Sequence, residues 1–199
     1  MNARPKVLLA GDSISFGYGP HVRERLEGTC DAVNLPANGG TSANLLAHLD
    51  DWLIRPGFDA IHLNCGLHDM ARDRDASGPR VSLGQYEANL REVFRRLKRE
   101  TRATLAWATT TPVIDERHAA RKGFDRHEKD VLAYNAVALR VAKEAGLPVD
   151  DLHRIVEAAG PEGCVGPDGV HMTDAGNAAL ADAVAAFITD LLKREKSHG

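Results

Sequence analysis

Near the amino terminus the apolar run Val7-Leu8-Leu9-Ala10 stops at Gly11-Asp12-Ser13. Four apolar residues are enough for a strand and Gly-Asp-Ser is rich in turn formers, so the stretch reads as a strand entering a tight turn. Open α/β sheets build their sites at the carboxyl ends of strands, where this turn leaves a small polar side chain. The rest of the chain repeats the alternation. Further strands are expected over residues 30–35, 58–64, 104–110 and 147–152. Helices are expected over 21–27, 43–53, 85–99 and 131–145, with a last one capped by Thr173. Tyr86, Leu90, Val93, Phe94 and Leu97 share one helical face, as do Leu180, Val184, Phe187, Ile188 and Leu191. Strictly alternating strand and helix predicts a parallel sheet covered on both faces.

Between these elements, residues 71–82 read as a solvated loop and 115–127 as a polar excursion long enough to act as a lid. Residues 160–167 carry too many Gly and Pro for regular structure. At 199 residues, with no linker or repeat, the chain reads as one domain, 1–199. A net charge of −3 with dispersed Lys and Arg gives no basic face for nucleic acid. No apolar run approaches the roughly 20 residues of a membrane span. The first residues are too short in apolar core for a signal peptide, so a cytoplasmic location is expected. Cys30, Cys65 and Cys164 contain no Cys-x-x-Cys, so buried free thiols are expected rather than disulfides or zinc.

Ser13 admits two readings. Alone, Asp12 and Ser13 would do no more than hydrogen-bond the turn and cap the following helix. As a nucleophile, Ser13 needs a base and an acid to orient it, and Asp168-Gly169-Val170-His171 supplies both. Two positions separate the acid from the imidazole, so in a tight turn the carboxylate reaches the Nδ1–H of His171 and leaves Nε2 free. Taken alone, that pair would be an ordinary surface turn.

Acyl transfer also needs donors for an oxyanion. The turns after the second and third strands, Asn38-Gly39-Gly40 and Gly66-Leu67-His68-Asp69, are placed to supply them. In a flavodoxin-like order both flank the first strand and lie beside Ser13.

Together these blocks resemble the GDSL, or SGNH, esterases and lipases, in that family's order and across most of the chain. The resemblance implies a three-layer α/β/α sandwich with a central sheet of five parallel strands in the order 2-1-3-4-5. It also implies serine hydrolysis of carboxylic esters; small or medium acyl groups are the expected substrates, and the mechanism requires no cofactor and no metal. Position by position, it makes Ser13 the nucleophile and an oxyanion donor through its own N–H, Gly39 the second donor, Asp168 the orienting acid and His171 the base. Gly40 is the alternative to Gly39, and Thr173 and Gly176 match the usual opening of the last helix.

One position departs from the pattern. Where the family's third block carries an Asn donor, this chain has His68, whose ring N–H can take that role. Otherwise the hole has backbone donors alone, or Asn38 or Asn64 substitutes. The Arg-rich segments 72–80 and 117–126, with His118 and His127, read as solvated surface and lid. A catalytically silent member that binds a carbohydrate or a partner is the competing reading. The glycines after the first strand match no phosphate-binding fingerprint, and no Gly-x-Ser-x-Gly elbow surrounds Ser13.

Overall fold

The computed structural model describes residues 3–119 and 123–196. Its first strand, β1 (Lys6–Ala10), is buried from Val7 to Ala10, as a parallel strand must be when helices cover both its faces. Around it lie β2 (Asp31–Asn34), β3 (Ala60–Leu63), β5 (Thr104–Ala108) and β7 (Val149–Asp150), all parallel, in the order β2-β1-β3-β5-β7. Counted within the sheet alone, this is the expected order 2-1-3-4-5. The chain passes from β1 to β2 on one side and returns to place β3 on the other. The switch point therefore falls at the carboxyl end of β1, directly before Ser13.

Two groups of helices cover the sheet. On one side α1 (Ser13–Arg25) packs against α8 (Asp174–Lys196), which also meets α6 (Leu152–Ala159). On the other, α3 (Leu83–Glu100) packs against α2 (Ser42–Ala47) and α5 (Glu128–Glu144). Residues 174–194 are long and apolar enough, by length and composition, to cross a membrane; here Leu180, Val184 and Ile188 are fully buried in the core. All three cysteines are buried free thiols.

The structure differs from the sequence reading in four places. The first helix starts at Ser13, not at residue 21, although Gly17, Gly19 and Pro20 all disfavour a helix. Asp12 caps it, its Oδ1 accepting from the Ile14 N–H at 3.0 Å. Its glycines allow close packing, since a Cβ at Gly17 or Gly19 would run into Asn177 or Asn34. The 43–53 helix is split into α2 and a π-helical turn, Asp50–Ile54. Within the expected loop 71–82, β4 (Arg72–Asp73) pairs antiparallel with β6 (Phe124–Asp125), which lies in the expected lid. The lid also contains a short helix, α4 (Asp115–Ala119), while its residues 120–122 lie outside the described residues. Finally, 160–167 includes a helical turn, α7 (Pro161–Cys164), and Val165 bridges to Met172.

Candidate active site

Ser13 occupies the first position of α1, where the helix offers its N–H no acceptor. The hydroxyl of Ser13 donates to Nε2 of His171 at 2.9 Å, and His171 Nδ1–H donates to Asp168 Oδ2 at 2.6 Å. The tautomer follows from the carboxylate, which can only accept. Asp168 Oδ1 also accepts from the N–H groups of Val170 and His171, at 3.1 and 3.0 Å. Burial pushes the Asp168 carboxyl up, but its bonds from the His171 ring and from the two backbone N–H groups outweigh this and bring it down to about 2. It is therefore ionised at neutral pH.

The loop bearing Asp168 and His171 is fixed from several sides. Gly166 N–H donates to the His171 carbonyl at 2.7 Å, and Thr173 N–H to that of Cys164 at 2.8 Å. Thr173 Oγ1 caps α8 by accepting from the Gly176 N–H at 3.1 Å. Just before the lid, Ile114 N–H donates to the Gly169 carbonyl at 2.9 Å, and from the lid Arg117 Nη1 donates to that of Val165 at 2.6 Å. Gly169 has φ +75°, and a Cβ there would meet the Ile114 carbonyl oxygen and the His118 nitrogen. His118 is itself buried, with Nδ1 at 3.4 Å from the Asp168 carbonyl oxygen.

The oxyanion candidates divide sharply. Gly39 lies against the turn before Ser13, but its N–H donates to the Gly11 carbonyl at 3.1 Å. The Gly40 N–H donates to Asn38 Oδ1 at 2.9 Å, so the exposed Asn38 serves its own loop. Asn64 donates through Nδ2 to the Ala108 carbonyl at 2.9 Å. In this arrangement the Gly39 and Gly40 N–H groups and Asn64 Nδ2 are committed elsewhere, and Asn38 is tied to its own loop through Oδ1, because closing the loops uses the very groups the sequence offers. The Ser13 N–H and the His68 ring remain.

His68 is half-buried and its ring makes no hydrogen bond with the described residues. Burial lowers its pKa; Asp12 works against this, while Arg126, Arg80 and His171 add to the lowering. The lowering favours the neutral ring, which has one N–H to donate.

Two supports were not evident in the sequence. The fully buried Asp69 accepts from the Ser42 N–H at 2.9 and 3.0 Å and from its hydroxyl, and Asn89 Nδ2 donates to that hydroxyl at 2.9 Å. This clamps the turn after β3 to the start of α2. Burial raises the Asp69 carboxyl to about 6, against the bonds from Ser42. Its place in the Gly-x-x-Asp turn was a signal for it. The second is Arg126, only 6 % exposed, whose Nε donates to the Leu67 carbonyl at 2.6 Å. Nothing in the spacing of the Arg-rich segment marks it out. Among the described residues no group of three or more His, Cys, Asp or Glu side chains is placed to hold a metal.

With this geometry in hand, comparison with known proteins is direct. A sequence model of the GDSL-like lipase/acylhydrolase family matches residues 9–179. The GDSL esterase/lipase CPRD49 of Arabidopsis thaliana is 24% identical over 207 residues, covering 94% of this chain and 80% of that protein. Among solved structures, a lipase/acylhydrolase from Enterococcus faecalis superposes with a TM-score of 0.79 at 20% identity, covering 94% of this chain and 96% of that one. The acetylxylan esterase Axe2 from Geobacillus stearothermophilus does so at 0.74 and 20%, covering 93% and 94%. From the Gly-Asp-Ser turn to the opening of the last helix, the chain belongs to the GDSL-like lipase/acylhydrolase family, a carboxylic ester hydrolase by class.

Proposed function

We propose that the protein hydrolyses carboxylic esters of small or medium acyl groups through an acyl-enzyme on Ser13. One observation carries this reading: the unbroken relay from Ser13 Oγ through His171 to Asp168, at 2.9 and 2.6 Å. His171 Nε2 takes the hydroxyl proton as Oγ attacks the ester carbonyl, and Asp168 steadies the imidazolium that forms. The tetrahedral oxyanion is received by the Ser13 N–H, at the positive end of α1, and by the His68 ring N–H. Gly39 joins them when its N–H turns from the Gly11 carbonyl to the oxyanion. Collapse expels the alcohol, which takes the proton from His171. Water, deprotonated by the same ring, then releases the acid and frees Ser13. No cofactor or metal enters any step.

Hydrolysis of p-nitrophenyl acetate and butyrate tests the reading. Ser13→Ala should lower kcat by roughly 10⁴- to 10⁶-fold, and undiminished turnover in that variant would dismiss it. Acetylated sugars are the first natural esters to try, given the acetylxylan esterase among the similar structures.

The competing reading, a silent binder of carbohydrate, draws on the commitment of the Gly39 and Gly40 amides. It requires saturable ligand binding with neither burst nor turnover.

A further inference from the structure

Arg126 directly follows the strand β6, and its guanidinium sits 4.9 Å from the ring centroid of Phe124. Arg80 packs on the same ring at 5.0 Å, but its charge is matched by Asp73, which it binds through Nε and Nη2 at 3.1 and 2.6 Å. Among the described residues no carboxylate is paired with Arg126 in this way. Its hydrogen bond with the described residues is the one to the Leu67 carbonyl, in the turn that presents His68. Nearby, Asp12 spends Oδ1 on the cap of α1, while Oδ2 is sealed from solvent without a partner. A buried carboxylate and a buried guanidinium thus act on the His68 ring with opposite sign, and among the described residues no hydrogen bond joins the two.

We propose that Arg126 is a positioning residue for His68. Its Nε fixes the Leu67 carbonyl, and with it the turn that presents the imidazole, and its fixed charge offsets the Asp12 carboxylate beside the ring. The proposal rests on the hydrolase reading above, with His68 as an oxyanion donor.

The charged groups that bear on the ring are Asp12 before α1, Arg126 just after β6, Arg80 before α3 and His171 before α8. Only Asp12 favours the imidazolium. Without Arg126 that carboxylate is less opposed, and His68 gains a proton at higher pH. A cationic His68 would oppose His171 as that ring takes the Ser13 proton, since two imidazolium charges repel in a poorly solvated site. Burial draws the Arg126 guanidinium down to about 10, against Asp12 and Asp168, so it stays charged throughout the working range.

The test is the pH dependence of kcat and KM for p-nitrophenyl acetate in wild type, Arg126→Gln and Arg126→Lys, each with His68 and with His68→Asn. Arg126→Gln should lower kcat about tenfold, with KM little changed, and move the acidic limb to higher pH. Arg126→Lys, which keeps the charge but not the fork, should leave that limb in place. With His68→Asn the shift should vanish. An unmoved limb in Arg126→Gln, or a shift that persists with His68→Asn, overturns the proposal. If both Arg126→Gln and Arg126→Met fail to fold, it is overturned in favour of a purely structural role. Histidine NMR titration in a Ser13→Ala background, where no turnover is needed, should show His68 titrating at higher pH in Arg126→Gln. An unchanged titration also overturns it. Absence of ester turnover in wild type defeats the hydrolase reading instead, and the titration still decides whether Arg126 governs the ring.

Discussion

Ser13 and His171 are 158 positions apart in the chain and 2.9 Å apart in space. Each stands at the opening of a helix, Ser13 as the first residue of α1 and His171 three residues before α8, and the two helices pack against each other. Contact between the first and last helices therefore closes the distance over which a proton must move.

Asp168→Asn should cut kcat by about 10⁴-fold at neutral pH, because the amide no longer enforces the tautomer that leaves His171 Nε2 free. The same variant reports on stability. The folded-state carboxyl titrates at about 2, below its ordinary 3.8, so its contribution is complete above about pH 4 and is lost as pH falls through 2. Unfolding at pH 7 should show the variant less stable by about 2 kcal/mol. The difference should close below pH 2.

His68→Ala should lower kcat by roughly 10²- to 10³-fold with little change in KM, the effect of losing one oxyanion donor. Steady-state kinetics decide the point. A loss confined to KM would move His68 from the oxyanion to the substrate-binding surface.

Gly39→Ala is expected to be far more harmful than its size suggests. A Cβ at Gly39 would stand 2.8 Å from the Gly11 carbonyl oxygen and 3.3 Å from Leu35 Cδ1, so the loop must retreat from the turn holding Ser13. Overpacking of this kind costs about 1–3 kcal/mol, and kcat should fall at least about tenfold with the displaced geometry. Gly84→Ala is the control. Open space surrounds Gly84 in the first turn of α3, and alanine there should leave activity alone and stabilise by about 0.5–1 kcal/mol. Thermal unfolding and ester turnover, measured on both, separate the two effects.

Gly176→Ala should strike the opposite side of the site. Its Cβ would run into the backbone carbonyl of Cys164, which also accepts from the Thr173 N–H. The backbone cannot swing aside as a side chain could, so the loop with Asp168 and His171 has to shift. A fall in Tm of about 2–4 °C per kcal/mol lost is expected, together with reduced kcat. Wild-type kcat in a destabilised variant would uncouple that loop from the helix start.

The candidate site was legible where it is local. Gly11-Asp12-Ser13 ends an apolar run, and Asp168 and His171 share one turn, so neither needed knowledge of distant contacts. The sheet was legible for a similar reason, since short buried strands between long amphipathic helices leave few ways to connect. The start of α1 was hidden because Gly17, Gly19 and Pro20 carry turn propensities, which close packing against Asn177 and Asn34 overrides. The β4 and β6 pair is two residues long on each strand and joins segments some fifty positions apart, leaving no periodic trace. The Gly39 and Gly40 amides show a third kind of opacity. The sequence offers the donors, but their acceptors are set by how the loop closes on Gly11 and Asn38.

Gly17, one turn into the first helix, faces Asn177, one turn into the last, and a Cβ there would come within 2.7 Å of the Asn177 Oδ1. That oxygen is sealed from solvent and makes no hydrogen bond. The missing methyl group thus acts as a spacer of zero thickness between the two halves of the reactive centre. A side chain added at that one position would first displace the Asn177 amide, so the close fit between the two helix starts is written in a residue with no side chain at all.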